Sequence, residues 1–460
     1  MPFTPNPFER HVESYMARMD STFCFVAHKD PNTLNWGEAM ADTDHQDKWI
    51  AAARAEIAVL EANHTWVKVA KSSAKSKIVP GTWVFCRKRT PDGEIKKYKA
   101  RFCCRGDLME TEENTYAPVV HWPTVRIVLT LGMLFGWVTC SIDFDSAFVQ
   151  AQLKDPVWIH VPRGFRSSEG DDMCLKLEKS LYGLTIAPKL WYEHLTSAIL
   201  ALGFSRSSYD PCLFYKEHIM IVLYVDDCGI AASAAKHTDA LIAGLRARGF
   251  ILHVEGKFEE FLRISIDRGL DSTGRIHMTQ KGLIKKVINY TGMNNCNPNW
   301  TPASSVALGA DIDSSEKHED CFKWSYATAV GMLQYLAMNT RPDISFAVSQ
   351  VSRFTHGAKK SHGIAVKTIV RYLKRTEDKG TYFDQEMYHD AKCMKLECFV
   401  DADFAGLYKQ DPDELSSSAK SRTGYVIRLA GAPLIWKSKL QTEISLSTLE
   451  SEYSALSQAM

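Results

Sequence analysis

Apolar positions recur along the chain with two periods, and the switches between them divide it into elements. In residues 45–63 the spacing of Trp49, Ala53, Ile57 and Leu60 puts one apolar stripe on a helix. Residues 124–135 and 190–202 also read as helices, whereas 138–144, 212–215 and 219–225 are short apolar runs of strand length. Thr90-Pro91-Asp92-Gly93 is a hairpin turn signal between residues 83–89 and 96–102. The polar stretch 292–320, with Pro298 and Pro302, reads as an internal linker. Beyond it, 326–338 and 364–374 read as helices and 395–404, 422–430 and 433–437 as strands, and a further helix starts near Ser447.

Composition narrows the class only a little. A chain of 460 residues with 45% hydrophobic and 11% aromatic content is ordinary for a globular protein, and its length allows roughly two to four domains. The longest apolar run, residues 127–142, is broken by Gly132, Gly136 and Thr139, so no membrane span is expected. The N-terminus has three prolines in its first seven residues and no basic-then-apolar pattern. No secretory signal is apparent there, and the expected location is intracellular, cytoplasmic or nuclear. Twelve cysteines without a C-x-x-C framework read as reduced thiols.

Charge is balanced in total, at +1, but not along the chain. Between Lys68 and Arg105 stand twelve Lys or Arg residues and only two acids, Asp92 and Glu94, interleaved with Trp83, Phe85, Tyr98 and Phe102. Such a run can be a solvated basic face; folded as a two-stranded ribbon it also suits a phosphate backbone or a triphosphate.

Candidate chemistry concentrates where the run Ile219-Met220-Ile221-Val222-Leu223 ends in Tyr224-Val225-Asp226-Asp227. Two negative charges about 4 Å apart repel by about 4 kcal/mol at an effective dielectric of about 20. Asp226 and Asp227 therefore fit either a hairpin turn with both carboxylates in water or a site for a divalent cation.

Other blocks accompany that one in a fixed order. They are the basic hairpin, Asp143 on a strand followed by Ala147-Phe148, and Lys179-Ser180-Leu181-Tyr182-Gly183-Leu184 with Ala187-Pro188-Lys189-Leu190-Trp191. Thr340-Arg341-Pro342-Asp343-Ile344 and Arg371-Tyr372-Leu373-Lys374 follow. From about Trp36 to its end the chain thereby resembles the reverse transcriptase of copia-type LTR retrotransposons.

The resemblance implies an α+β fold: a right-hand polymerase of fingers, palm and thumb, followed by a connection and a truncated RNase H-like α/β domain. Residues 1–45 would be an N-terminal tail, 46–268 fingers and palm, 269–385 thumb and connection, and 386–460 the N-terminal half of the RNase H-like domain. It implies an RNA-directed DNA polymerase that transfers a nucleotide from a dNTP to a primer 3′-hydroxyl, with two Mg²⁺ ions or Mn²⁺ in their place. Asp143, Asp226 and Asp227 match the metal-binding aspartates, and Lys99 and Arg101 the triphosphate clamp. Phe148 matches the aromatic under the incoming sugar, and Tyr224 joins the residues expected at the dNTP and template-primer. The implied partners are an RNA or DNA template-primer, dNTPs, and self-association or retrotransposon particle proteins, without a membrane.

Asp401 and Glu452 match the first two RNase H acids. Because the later acids do not occur before Met460, that part is expected to be inactive, and residues 390–460, left with an unpaired strand edge, are expected to be disordered or to aggregate. Three departures also stand out: Ile186 replaces a glutamine that contacts template and nucleotide, and Arg263 and Arg375 replace glycines. They favour the competing expectation of a non-catalytic nucleic-acid-binding remnant of a decayed polyprotein.

Overall fold

The structure is a computed structural model that describes residues 33–89, 95–109, 114–166, 172–256, 258–268, 275–303, 308–310, 316–383, 395–408 and 419–460. The turn expected at 90–93 lies outside them. Its flanks form the expected ribbon.

The described chain opens with β1 (Thr33–Leu34) and α1 (Trp36–Ala41), then α2 (Gln46–Ala62), which buries Trp49, Ala53, Ile57 and Leu60 as their spacing requires. After β2 (Trp66–Ala70) come the ribbon strands β3 (Gly81–Arg89) and β4 (Ile95–Cys104), in a sheet ordered β1-β3-β4. Period-two alternation sorts the ribbon into two faces. Trp83, Phe85, Ala100 and Phe102 are buried, while Lys97, Lys99 and Arg101 lie on the opposite face. Residues 33–45 are not a tail: Leu34 pairs with Phe85, Trp36 packs 5.9 Å from Trp83, and Asp42 binds Arg87. Aromatic burial decides this, since Trp36 packs against both Trp83 and Phe85 on the ribbon's apolar face.

Next come α3 (Trp122–Leu134), β5 (Val138–Phe144), β6 (Gln152–His160), β7 (Met173–Lys179) and α4 (Ala187–Ala201). They are followed by β8 (Ser205–Arg206), β9 (Leu213–Lys216), β10 (Ile219–Tyr224), β11 (Asp227–Ala232), α5 (Ala235–Arg246) and β12 (Leu252–Gly256). A six-stranded antiparallel sheet, ordered β12-β5-β11-β10-β9-β8, is the centre of the molecule. Its largest core gathers Val128, Leu129, Ile142, Phe144, Trp191 and Phe214 between the sheet and helices α3 and α4.

Four short strands, β13 (Glu260–Phe261), β14 (Ile264–Arg268), β15 (Ile276–Thr279) and β16 (Thr381–Phe383), form another sheet. Between β15 and β16 lies a helical unit with its own core, built from α6 (Lys281–Tyr290), α7 (Tyr326–Asn339), α8 (Ser345–Ser352) and α9 (Lys360–Arg375). Among the described residues, no helix is long and apolar enough to cross a membrane.

The last unit is a sheet of β17 (Leu396–Asp403), β18 (Arg422–Leu429) and β19 (Ala432–Leu440), with α10 (Thr448–Ala459) packed on β17 and β18. The expectation of disorder here is wrong for residues 395–408 and 419–460. Leu434 and Ala432 are buried, and the Trp436 indole N–H donates to the Ala337 carbonyl at 2.7 Å. Buried Arg126 from α3 donates to the carbonyls of Leu434, Met338 and Asn339 and lies 4.1 Å over the Trp436 ring. Among the described residues β17 borders this sheet, with Leu396 and Phe399 exposed.

Two stability predictions follow from these contacts. Arg126→Met removes the donor to the carbonyls of Leu434, Met338 and Asn339, two of these bonds being buried, and should lower unfolding free energy by about 3 kcal/mol in urea titration. The turn between β13 and β14 holds Leu262 at φ 52° and Arg263 at φ 64°. Arg263→Gly should therefore stabilise the protein by about 1 kcal/mol in the same titration.

Candidate active site

The central sheet brings the three sequence-selected aspartates together through register. Asp143, near the end of β5, is the direct cross-strand partner of Asp227 at the start of β11. Tyr224 pairs with Asp227, so Val225 and Asp226 form a two-residue turn, not the strand end expected for Val225. Val225 sits at φ 55°, costly for a β-branched residue. Two contacts hold it there. The fully buried Trp191 of α4 donates its indole N–H to the Val225 carbonyl at 2.6 Å, and the Phe144 N–H reaches the Asp226 carbonyl at 3.4 Å.

The Asp pair does lie at a hairpin turn, but its carboxylates are half-buried and not fully in water. Burial, then Asp226 and Asp143, push Asp227 up to about 6. Burial, then Asp226, Glu255 and Asp145, also raise Asp143, with Lys99 acting in the opposite direction. Glu255 was missed by sequence reasoning because it reaches the site only across strands, where it accepts the Ser141 hydroxyl at 3.2 Å. Asp145 is engaged by His253 at 2.8 Å.

Hard carboxylate oxygens whose mutual repulsion is incompletely offset by protein cations suit Mg²⁺ or Mn²⁺ in chemistry. Among the described residues, however, no three His, Cys, Asp or Glu side chains stand at metal-ligating spacing. The fit rests on donor type and charge.

Lys99 and Arg101 share one face of β4. Burial, then the neighbouring Arg101 and Lys88 cations, push the half-buried Lys99 ammonium down, with Glu56 opposing. Arg101 lies 5.1 Å over the Tyr182 ring, and Tyr182 meets the Phe148 ring edge-on at 5.2 Å. A column therefore runs from the ribbon to the turn after β5. Cys104 N–H donates to the Tyr182 carbonyl at 2.7 Å, and Gly183, at φ 86°, has no room for a Cβ beside the Cys104 carbonyl. Tyr182 stood in a recognised sequence block, yet its place between Arg101 and Phe148 could not be read from spacing.

Tyr224 lines a cavity of about 400 Å³ with Pro118, Val119, Pro188, Trp191 and Tyr192. Ile186 is half-buried against the core shared by the ribbon and α2. Asp401 and Glu452 are exposed on β17 and α10, away from the three aspartates in sequence and on different elements.

Comparison with known proteins adds relatives to this geometry. Residues 63–305 match the family model described as reverse transcriptase (RNA-dependent DNA polymerase). The chain is 32% identical over 440 residues to the retrovirus-related Pol polyprotein from transposon RE2 of Arabidopsis thaliana, covering 93% of the chain and 28% of that protein. It is 31% identical over 421 residues to the Pol polyprotein from transposon TNT 1-94 of Nicotiana tabacum, covering 89% of the chain and 30% of that protein. Among solved structures, the foamy viral protease-reverse transcriptase in complex with double-stranded DNA aligns with a TM-score of 0.46 at 13% identity, covering 90% of this chain and 60% of that one. The chain thus spans under a third of the length of these transposon polyproteins. With more than half its residues under the family model, it belongs to the reverse transcriptase family, in the copia-type retrotransposon branch.

Proposed function

We propose that this segment is a working RNA-directed DNA polymerase that extends a primer 3′-hydroxyl with dNTPs on an RNA or DNA template. The observation that carries the reading is the strand register that sets Asp143 beside Asp227, with Asp226 in the adjoining turn. In this reading the ribbon, joined by residues 33–45, is the fingers and the central sheet the palm. The helical unit is thumb and connection, and residues 386–460 belong to an RNase H-like unit.

Asp143, Asp226 and Asp227 would hold two Mg²⁺ ions. Held by these carboxylates, the ions would supply Lewis-acid activation of the primer hydroxyl and charge neutralisation for the leaving pyrophosphate. Lys99 and Arg101, on the ribbon face nearest the acids, receive the triphosphate as point charge and fork respectively. Phe148 places its ring beneath the incoming sugar, where it excludes a 2′-hydroxyl. Tyr224, on the cavity side of the hairpin, contacts the template-primer.

A second reading, binding without turnover, draws on Ile186 and Arg263. Ile186 packs into a core and offers no hydrogen bond, and Arg263 is held in the left-handed region.

Primer extension on an oligo-dT-primed RNA separates the two. Asp226→Asn should cut incorporation by about 100-fold or more while RNA retardation on a gel persists; equally low incorporation by wild type and variant would favour the non-catalytic reading. A pH test follows from the raised Asp227. In metal-free protein the folded state binds its proton more tightly than the unfolded chain, so this group's stabilising contribution is full below about pH 4 and is lost as pH rises through about 6. Relative to Asp227→Asn, the wild-type Tm in EDTA should fall across that window. Parallel curves would remove Asp227 from the coupled cluster.

A further inference from the structure

Phe148 stands on a single turn, Ala147–Gln150, that leaves β5 after Ser146 reverses the chain at φ 49°. At its ends the turn is closed by backbone bonds from Val149 N–H to the Ser146 carbonyl at 3.0 Å and from Ala151 N–H to the Phe148 carbonyl at 3.2 Å. Its firm anchor is a side chain. The Gln150 amide donates to the Asp145 carbonyl at 2.7 Å and to the Ile251 carbonyl at 2.9 Å, and its oxygen accepts the Ile251 N–H at 3.0 Å. Only one orientation of that amide satisfies all three contacts, because its nitrogen must face the two carbonyls.

The ladder between β5 and β12 ends at the pair Phe144 and Leu252, and Asp145 N–H adds one bond to the Ile251 carbonyl at 3.1 Å. Gln150 therefore acts as a surrogate rung. It continues the sheet edge one step past the strand and ties the far end of the Phe148 turn to β12. On the other side Phe148 meets Tyr182, which is itself bonded to the ribbon. The ring is located by Tyr182 and the backbone beneath it by Gln150.

We infer that Gln150 is a positioning residue for sugar selection, holding the Phe148 turn at the height that excludes a 2′-hydroxyl. The inference rests on the reading of Phe148 given above. Gln150 itself touches no substrate. Gln150→Leu loses all three bonds, and Gln150→Glu keeps the acceptor but loses both donors.

The test is the ratio of kcat/KM for dNTP over rNTP in primer extension. The same ratio is taken from nucleotide binding to a dideoxy-terminated primer-template complex, which needs no turnover. Both Gln150 variants should lower it about tenfold, through a rise in rNTP use with dNTP kcat little changed. Tyr326→Phe, which removes a buried bond to the Val351 carbonyl in the helical unit, is the control for general loosening and should leave the ratio alone. Phe148→Val should lower the ratio on its own, and adding Gln150→Leu to it should change nothing more, because both act through one ring. If Phe148→Val relaxes selection but Gln150→Leu does not, the inference is overturned and the Phe148 reading stands. If Phe148→Val has no effect, or no nucleotide binds, that reading fails and the inference with it.

Discussion

The structure around the candidate site is organised by the repulsion among carboxylates placed at the ends of two buried strands. Asp143 and Asp227 face each other by register, Asp226 adjoins them, and burial removes much of the water that would screen them. Burial and the neighbouring carboxylates push both Asp227 and Asp143 above the usual carboxylate range. What keeps them together is apolar and lies behind the sheet: Ile142, Phe144, Ile221 and Trp191 are buried within one core. Trp191 joins the two sides, since its ring packs in that core while its N–H fixes the carbonyl of the strained Val225.

The ribbon answers that negative field from the opposite side, and it can do so because its two faces are chemically distinct. Its aromatic face is covered by α2 and residues 33–45, which frees the other face to carry Lys97, Lys99 and Arg101. Tyr182 and Phe148 then join ribbon to sheet as an aromatic bridge capped by the Arg101 guanidinium. Charge separation within a chain of net charge +1 is thus a product of folding as much as of composition.

The C-terminal sheet owes its order to docking. With three strands and one helix it has little core of its own, yet β19 is held by Arg126 and Trp436 against α3 and α7. An argument that counted strands within residues 386–460 could not see this, because Arg126 on α3 and Ala337, Met338 and Asn339 on α7, which hold β19, all lie outside that range. The same contacts couple the last unit mechanically to the helix behind the central sheet.

Element type and order were legible in the sequence because periodicity is local. The stripe Trp49, Ala53, Ile57 and Leu60 is buried as its spacing requires, and residues 138–144 form the expected strand. The three aspartates, Lys99, Arg101 and Phe148 could be named in advance because they sit in ordered blocks of residue types, and the ordered blocks also carried the family. Only the tertiary structure decided how these residues meet. The register that pairs Asp143 with Asp227, the Trp191 bond that holds Val225, the Glu255 contribution to the acidic field and the Gln150 rung all join positions distant in sequence. Local pattern fixes what each segment is; the choice of cross-strand partners, and with it the field at the site, comes from packing of the whole chain.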